Sequence, residues 1–521
     1  MPKIIRDPIW GDIKLNDDEV RVIDTSAFQR LRGIRQLGLA YLVYPGAIHS
    51  RFLHSIGTVS AVQQIINAME SEGIGITSEE RNDIRMIALL HDIGHTPFSH
   101  LLEDEANLYT RHDSKERLKK RIDSIETPIS DQSKQVLLGN SQPEKEFMKD
   151  MVSNTICADM IDYIQRDGHF SGATGLRFHF DERLLSYFRK VPDRMGSIHL
   201  AIEPIKDKIR MDVITDLLQL LRYRYVLTER LTYHHAKLAA NAMLVKAVTA
   251  AGQPALEEFE DMSDDQFLHF ISQKTDENKV PQRLIDDLAR RRLYKPVFRV
   301  TRAAVSKKMH VDEFCRKYGT PAGRDSLERQ IIDVASRLIH SHNLREGDLV
   351  IYTPHDDSMT MKEVGVLVHW KGKEAIPLRD VLAEEYWETV TLDEVRALEN
   401  RYRALWTSSV FVDPALQMYK YEIEKACERV LEMENDPLLS ASLKKEQDYA
   451  DMIFTQSCVD DVGLARKAVQ LSQRIGSEKL SREERLRRGV DEAIRISSKS
   501  ETKMEKSRRE VKSLDDINNE N

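Results

Sequence analysis

The decapeptide HDIGHTPFSH, residues 91–100, places histidines and a carboxylate at the end of an apolar stretch. His91 is followed directly by Asp92, and His95 follows one turn later, so these side chains can lie near one edge of a helix end. Burying a carboxylate beside histidines is costly unless a cation compensates the charge. Histidine and carboxylate ligands without a thiolate suit Mn, Fe, Mg or Zn in a hydrolytic site with an open coordination position. An isolated His-Asp dipeptide is also compatible with a hydrogen-bonded surface pair.

Two further segments place ionisable residues among apolar ones. The string SRFLHSIG puts His54 in an apolar helix start, with Arg51 one turn before it. Downstream, Asp159, Asp162 and Tyr163 follow the i, i+3, i+4 spacing of one helix face. Such a stripe can be a solvated face, or it can be the catalytic face of a buried functional helix.

The order His54, His91-Asp92, Asp159 resembles that of the HD-domain metal-dependent phosphohydrolases. It is most similar to the deoxynucleoside triphosphate (dNTP) triphosphohydrolases, in the branch of the sterile-alpha-motif-and-HD-domain enzyme. The matching strings are DPIWGDI, IDTSAFQRLRGIRQLGLAYLVYPGAIHSRFLHSIG, LLHDIGHTPFSH, DMIDYIQRD, the run Tyr233-His234-His235 and RRLYK from Arg291. They span roughly residues 3–300, and several long strings in one order are a specific signal where an HD dipeptide alone is weak.

The resemblance implies a mainly α, HD-domain fold and a metal-dependent reaction. The bond between the deoxyribose 5′ oxygen and the α-phosphorus would be cleaved, releasing deoxynucleoside and triphosphate. The residues matching metal ligands are His54, His91, Asp92 and Asp159. Those matching the catalytic residues around the phosphates are Arg51, His95, His100, Glu103 and His112. Among them, His112 would be the general acid toward the leaving oxygen, a role that suits a near-neutral pKa, although its polar flanks also fit a surface histidine. The cofactor expected is Mn, Mg or Fe, with Zn less favoured.

A further set matches residues that line the substrate pocket. An aromatic side chain under the 2′ carbon would reject ribonucleotides by steric exclusion, and an arginine would bind phosphate. The set is Gln36, Leu37, Tyr163, Asp167, Arg224 and Tyr233, with Arg222 as an alternative to Arg224 because the spacing to Tyr233 is one residue longer than expected. Ordinary core packing is the alternative role for Leu37, Tyr163 and Tyr233.

A last set matches a site that binds an activating nucleotide: Lys3, Ile4, Asp24, Gln29, Arg32, Arg291 and Lys295. The Asp24 carboxylate would accept hydrogen bonds from a guanine edge. Alternatively, Asp24 caps a helix and pairs with Arg32. Because such sites lie between subunits in relatives, the resemblance implies a GTP or dNTP activator and a homo-oligomer, with a tetramer favoured and a dimer as the alternative.

Two positions depart from the family pattern. Met160 stands where relatives have a phosphate-binding lysine, and Glu103 replaces an aspartate. Two alternatives stay open, and the loss of an ammonium group supports the first of them. One is another HD phosphohydrolase, acting on nucleoside monophosphates, cyclic nucleotides or an alarmone. The other is a non-catalytic nucleotide sensor or nucleic-acid-binding module, against which the complete metal quartet argues. The role expected for a dNTPase is control of dNTP pools, including antiviral nucleotide depletion.

The elements that must position these residues are mostly helices. Apolar residues over 59–69 recur every three to four positions, which predicts a helix ending near Gly73. Thr77 and Glu80 form a capping box that opens a helix reaching His91. Further predicted elements are helices over about 147–166 and 213–247, short helices over 252–306, and strands over 349–352 and 364–370 with a turn at 371–373. The predicted domains are an HD core over 1–300, a small α+β lobe over 301–400, a helical region over 401–475 and a charged, flexible tail over 476–521.

Composition limits the classes of protein that fit. The chain has 521 residues, a formal net charge of −8 and 31% charged residues, which excludes a fibrous protein and does not indicate nucleic-acid binding. No apolar stretch is long enough to span a membrane, and the start has no signal-peptide pattern, so a cytoplasmic protein is expected. The cysteines, Cys157, Cys315, Cys427 and Cys458, are far apart, which favours a reducing compartment and argues against a thiolate zinc site.

Overall fold

The computed structural model describes residues 3–174, 182–203, 211–274, 279–339, 342–355, 367–369, 374–378, 380 and 388–457. Within them the fold is mainly α-helical with a few small sheets, as predicted. The predicted turn at 371–373, Cys458 and the predicted tail over 476–521 lie outside the described residues.

Helices make up most of the described chain. They are α1 (Asp17–Ile23), α2 (Ser26–Gln29), α3 (Arg51–Ser71), α4 (Ser78–Leu90), α5 (Lys115–Asp123), α6 (Asp131–Leu137), α7 (Glu146–Val152), α8 (Ala158–Ser171), α9 (Met211–Leu227), α10 (His235–Ala250), α11 (Asp264–Gln273), α12 (Val280–Ala289), α13 (Arg302–Ser306), α14 (Val311–Tyr318), α15 (Pro321–Leu338), α16 (Glu388–Ala404), α17 (Lys420–Leu431) and α18 (Pro437–Ser457).

The strands are short and form three sheets. They are β1 (Lys3–Asp7), β2 (Gly11–Leu15), β3 (Phe188–Pro192), β4 (Ile198–Ile202), β5 (Lys295–Thr301), β6 (Leu349–Tyr352), β7 (Leu367–His369), β8 (Ala375–Pro377) and β9 (Thr407–Val412). The sheets have the orders β1-β2, β3-β4-β7-β8 and β5-β9-β6. The first is an antiparallel hairpin in which Asp7 faces Gly11 next to the turn.

The helices that carry the candidate site lie in the largest buried apolar cluster, which includes residues of α3, α4, α7, α8 and α9. Helix α3 is buried on most of its circumference, as expected for a helix with apolar residues all round. The Ser50 hydroxyl accepts from the Leu53 amide at its start. Helix α4 begins with the predicted capping box, in which Thr77 and Glu80 accept each other's backbone N–H groups.

Four predicted elements differ from the structure. The stretch predicted as short helices over 252–306 also contains strand β5, whose Val297, Phe298 and Val300 are buried. The helix predicted over 147–166 is two helices, α7 and α8, because Asn154 bonds locally to Asp150 and to the Thr155 amide, competing with helical hydrogen bonds. The helix predicted over 213–247 is broken by a π-helical turn, Thr228–Thr232, between α9 and α10. The region predicted as helical from 401 contains strand β9, whose run of Val410, Phe411 and Val412 is buried.

The described chain divides into two compact units. The first comprises Met1–Tyr294, Thr301–Ser326 and Val350–Ser408, and the second comprises Lys295–Val300, Leu327–Leu349 and the chain from Ser409. All of the predicted metal and catalytic residues belong to the first unit. The three cysteines that the structure describes are buried and form no disulfide. Of the helices described, none combines the length and apolar character needed to cross a membrane.

Candidate active site

Three helix ends bring the predicted metal ligands together. His54 lies in the first turn of α3, His91 and Asp92 directly follow α4, and Asp159 lies in the first turn of α8. The His54 Nε2 atom is 3.0 Å from Asp159 Oδ1, 3.3 Å from His91 Nε2 and 3.4 Å from Asp92 Oδ2. His54 Nε2 therefore lies within 3.4 Å of a ligand atom of each of the other three residues, and the ligand atoms of His54, His91 and Asp159 are close enough together to hold a metal ion.

The outer nitrogens of both histidine rings are held by neighbours. His54 Nδ1 bonds to Asp162 Oδ2 at 2.8 Å. His91 Nδ1 bonds at 2.7 Å to the carbonyl of Ala88, which lies in the last turn of α4, where carbonyls lack partners within the helix. Metal-binding histidines in proteins usually donate their second N–H in this way, which directs the other nitrogen at the ion. The donor set thus fits a divalent metal ion, with two imidazole and two carboxylate ligands.

The charges around His54 point to the same conclusion. Burial alone would lower the pKa of His54, but hydrogen bonds with Asp159 and Asp162 and the nearby carboxylate charges raise it to about 10. Burial raises the pKa of Asp92, yet the charges of Arg51, His91 and His95 pull it well below its usual value. The carboxylates around His54 therefore favour a positive charge at this point, which a bound metal would supply.

A second cluster, His95, His100, Glu103 and His112, lies next to the quartet; its ligand atoms are close enough together that it, too, could hold a metal ion. The His95 ring stacks on His112 with centroids 3.6 Å apart, and its Nε2 lies 3.3 Å from Asp92 Oδ1. Glu103 Oε1 is 2.7 Å from His112 Nδ1. Burial would raise the pKa of Glu103, but contacts with His112 and His95 pull it well below its usual range, so it stays ionised. Burial and the Arg51 charge lower the pKa of His95 to about 3, so this imidazole is neutral.

Two of these histidines differ in exposure. The His100 side chain is 44% exposed and bonds through Nδ1 to Asp104 at 2.8 Å. His112, whose polar flanks also fitted a surface position, is buried because it pairs with Glu103. Arg117 donates to the second Glu103 oxygen at 3.1 Å and to the Gly94 carbonyl at 2.8 Å. It thereby connects this cluster to the turn that follows His91 and Asp92.

Arg51 connects the quartet to the turn between His95 and His100. Its Nη1 atom is 2.5 Å from Asp92 Oδ2, and its Nε donates to Ser99 Oγ at 3.0 Å. Phe98 and Ser99 both have positive φ, 62° and 57°, which is strained for residues with side chains. The buried Asp264 carboxylate stabilises this turn, since it accepts from the Phe98 amide at 2.7 Å.

Two of the residues matching the substrate pocket, Tyr163 and Arg224, form a first group. The Arg224 guanidinium interacts electrostatically with Tyr163 and Asp159, whereas Arg222 is exposed and pairs with Glu394 at 3.1 Å. Of the two arginines, Arg224 is therefore the one beside the metal ligands. Burial raises the pKa of Tyr163 far above its usual value, so its hydroxyl stays neutral.

A second group, Gln36 and Asp167, contacts His49, which the sequence pattern did not mark as functional. Asp167 Oδ1 is 2.7 Å from His49 Nε2, and the Gln36 amide donates to the His49 carbonyl at 2.9 Å. The Gln36 Oε1 atom is buried and has no hydrogen-bond partner among the described residues. Leu37 is half-buried against the apolar cluster, and Tyr233 ends the π-helical turn after α9 and interacts with Tyr352.

The residues matching an activator site lie on the surface of the N-terminal segment and farther along the chain. Asp24 pairs with Lys3 at 3.1 Å rather than with Arg32, which bonds to Gln29 Oε1 at 2.8 Å and stacks on Phe52. Ile4 is exposed on β1. Arg291 donates to the Leu42 carbonyl at 2.6 Å, and Lys295 opens β5 and belongs to the second unit.

Met160 lies in the apolar core. Its side chain is buried and belongs to the apolar cluster around α3 and α8. The position that the resemblance matches to a phosphate-binding lysine is therefore used for packing here.

Known proteins resemble this chain in sequence and in fold. A family model for the HD domain matches residues 51–167. The uncharacterized protein MJ1154 of Methanocaldococcus jannaschii is 37% identical over 170 residues, 33% of this chain and 34% of that protein. The deoxynucleoside triphosphate triphosphohydrolase SAMHD1 homolog of Dictyostelium discoideum is 28% identical over 394 residues, 69% of this chain and 73% of that protein.

Two further similarities cover different shares of this chain. The bovine (Bos taurus) deoxynucleoside triphosphate triphosphohydrolase SAMHD1 is 31% identical over 230 residues, 36% of this chain and 38% of that protein. The chain thus matches about a third of the length of its archaeal and bovine relatives. A crystal structure of a hypothetical protein from Aquifex aeolicus aligns with a TM-score of 0.54 at 18% identity, covering 81% of this chain and 100% of that one, which supports the fold alone.

Proposed function

We propose that this chain, an HD-superfamily phosphohydrolase, hydrolyses deoxynucleoside triphosphates to deoxynucleoside and inorganic triphosphate. The observation that supports this most is the convergence of His54, His91, Asp92 and Asp159 from three helix ends, within a match to the HD domain. The named dNTP triphosphohydrolases among the relatives support the choice of substrate.

Each part of the pocket has a chemical task in this reaction. When bound, a divalent ion would polarise a phosphate oxygen and lower the pKa of a water molecule. Arg51, held by Asp92 and Ser99, would present its remaining N–H groups to a phosphate. His95, neutral and buried beside Asp92, would donate a hydrogen bond to a phosphate oxygen.

Proton transfer to the leaving 5′ oxygen falls to His112. Its Nδ1 faces Glu103, so Nε2 is the atom that can give a proton to the substrate. The ionised Glu103 fixes the orientation of the ring through its contact with Nδ1. Arg117 holds Glu103 from the other side, so the pair has one orientation.

Selection of the sugar and binding of the phosphates would depend on the residues that match the substrate pocket. Tyr163, neutral and half-buried on the same helix as Asp159, would pack against the 2′ carbon and exclude a ribose hydroxyl. Gln36 and Asp167 would bind the 3′ hydroxyl, for which the unpartnered Gln36 Oε1 is an available acceptor. Arg224 would supply the positive charge that Met160 lacks.

We further propose that a GTP or dNTP activator binds near Asp24, Gln29 and Arg32, and that the chain forms a homo-oligomer, with a tetramer favoured. The exposed Asp24 carboxylate supports this, since its partner Lys3 is itself exposed and a guanine edge could replace it. The cellular role would be dNTP pool control, including nucleotide depletion during viral infection.

A second candidate is a related HD phosphohydrolase that acts on nucleoside monophosphates, cyclic nucleotides or an alarmone. The buried Met160 favours it, because this position offers no ammonium group to a triphosphate. The two candidates share the metal quartet and differ in the product that they release.

Product analysis separates the two candidates. Purified protein would be incubated with Mn²⁺ or Mg²⁺ and each dNTP, with and without GTP, and the products resolved by chromatography. Deoxynucleoside with inorganic triphosphate is expected. Release of orthophosphate or pyrophosphate, or turnover of monophosphates or cyclic nucleotides alone, would overturn the substrate assignment.

The site itself is tested by the double variant His91→Ala, Asp92→Ala. It should abolish turnover and metal binding while the helical circular dichroism persists. His199→Ala is the matched control, because His199 also pairs with a carboxylate, Asp150 at 2.8 Å, but lies on β4 away from the quartet. Activity retained by the double variant would refute the site.

A further inference from the structure

The turn between β1 and β2 contains a carboxylate and an indole that reach into the protein. Asp7 Oδ1 accepts from the backbone amides of Ile9 at 2.8 Å and Trp10 at 3.0 Å, which closes the turn. The backbone of Trp10 is thereby fixed relative to Asp7. The other Asp7 oxygen, Oδ2, accepts from Arg166 Nη1 at 2.9 Å.

These groups converge on Asp162, one turn after the metal ligand Asp159 on α8. The Trp10 indole Nε1 donates to Asp162 Oδ1 at 2.6 Å. Arg166 binds the same carboxylate with two parallel hydrogen bonds, Nη2 to Oδ1 at 2.8 Å and Nε to Oδ2 at 2.9 Å. The side chains of Asp7, Asp162 and Arg166 are fully buried.

The remaining acceptor site of Asp162 is used by the metal ligand. Oδ2 lies 2.8 Å from His54 Nδ1, so each carboxylate oxygen has two hydrogen-bonded neighbours. A carboxylate offers about four lone-pair positions, and here all of them are engaged. Because an ionised carboxylate can only accept, Nδ1 of His54 must carry the hydrogen, which leaves the lone pair for the metal on Nε2.

Helices α3 and α8 pack closely at this point. Gly57, one turn after His54 on α3, lies so close to α8 that a β-carbon there would overlap Asp162 Oδ1 and Arg166 Nη2. The Asp162 carboxylate and the Arg166 guanidinium therefore occupy the space in which another residue would have a side chain.

We propose that the hairpin turn is part of the metal site: Asp7 and Trp10 act with Arg166 as positioning residues that hold Asp162, and through it His54, in the orientation that binds a divalent cation. The inference rests on the proposed function only in taking the quartet as the metal site. It assigns to the N-terminal hairpin a task in metal affinity, although the hairpin contributes no ligand.

The indole hydrogen bond can be removed with little change in shape. Trp10→Phe deletes the Nε1 donor and retains an aromatic ring. Trp406→Phe is the matched control in the same unit, because the Trp406 indole is fully buried but its Nε1 has no hydrogen-bond partner among the described residues. The probe is Mn²⁺ added to the full-length apoprotein, with free Mn²⁺ measured by electron paramagnetic resonance.

Loss of an outer-shell partner typically weakens metal binding by about 10-fold to 100-fold, and we expect Trp10→Phe at the low end and Asp162→Asn at the high end. Trp406→Phe should bind Mn²⁺ like the wild type. Wild-type affinity in Trp10→Phe would overturn the proposal. An equal loss in Trp10→Phe and Trp406→Phe would also overturn it, since the cause would then be weakened core packing.

The same titration separates this inference from the proposed function. If the wild type binds Mn²⁺ but releases no triphosphate from any dNTP, the substrate assignment fails while the comparison of variants still decides the role of the turn. If the wild type binds no Mn²⁺, the metal site and the inference fail together.

Discussion

At the scale of single residues, two arginines on α9 offer a sharp comparison. Arg222 and Arg224 are two positions apart, so they project from different sides of the helix. Arg224 interacts with Tyr163 and Asp159, whereas the Arg222 side chain is 58% exposed and pairs with Glu394. Hydrogen bonds to charged groups contribute about 1.5–3 kcal/mol, so Arg224→Gln should raise the KM for dNTP by about tenfold to 100-fold.

The control for this prediction is Arg222→Gln, which removes the same charge from the exposed side of α9. We expect its steady-state kinetics to match the wild type. If Arg222→Gln raised KM and Arg224→Gln did not, Arg222 would be the arginine that binds phosphate. The side of α9 that we assign to the substrate would then be wrong.

Residue types and their order were sufficient to predict that His54, His91-Asp92 and Asp159 lie together, because these residues stand in motifs that have local patterns. Their role as metal ligands stays a prediction. Their supports were not predictable in the same way. Asp162 was visible only as one member of a polar stripe, and its contact with His54 joins residues 108 positions apart. Trp10 stood in a matching string without an assigned task. The burial of His112 depends on Glu103 and Arg117, which its polar flanks do not reveal.

At the scale of elements, the close approach of α3 and α8 makes Gly57 sensitive. A β-carbon at Gly57 would overlap Asp162 and Arg166, neither of which can move without losing buried hydrogen bonds. We expect Gly57→Ala to lower the free energy of unfolding by about 1–3 kcal/mol, the usual cost of overpacking, and to weaken Mn²⁺ binding. Urea unfolding and Mn²⁺ titration measure the two effects.

Gly75→Ala is the matched control, because, among the described residues other than its two neighbours in the chain, no atom lies within 4 Å of a β-carbon at Gly75. It should leave both quantities unchanged. Equal stability of Gly57→Ala and Gly75→Ala would mean that α3 and α8 adjust freely, and the rigid packing inferred for Asp162 would then be wrong.

Helix starts were predictable from the sequence, whereas helix breaks were not. Thr77 and Glu80 predict the start of α4 through a local capping box, which the structure contains. The break between α7 and α8 arises from Asn154 side-chain bonds, and that between α9 and α10 is a π-helical turn within an apolar stretch. The hydrophobic periodicity continues across both interruptions. A prediction based on it therefore gives one helix where the backbone forms two.

At the scale of the whole molecule, the described chain forms two compact units, and the predicted metal ligands all lie in the first. The domain limits predicted at 300 and 400 remain predictions. Sequence patterns are local, while the first unit is assembled from three separate stretches of chain, Met1–Tyr294, Thr301–Ser326 and Val350–Ser408. Such an assembly depends on long-range packing that periodicity does not encode.

This division predicts how metal removal changes thermal unfolding. A ligand that binds only the folded state stabilises it by about 2.7 kcal/mol when its free concentration is 100 times Kd. Because His54, His91, Asp92 and Asp159 belong to the first unit, Mn²⁺ should raise one of two transitions in differential scanning calorimetry, and a chelator should reverse the shift. The double variant His91→Ala, Asp92→Ala should show both transitions without the response to Mn²⁺. Equal shifts of both transitions, or a shift that persists in the double variant, would contradict a metal site confined to the first unit.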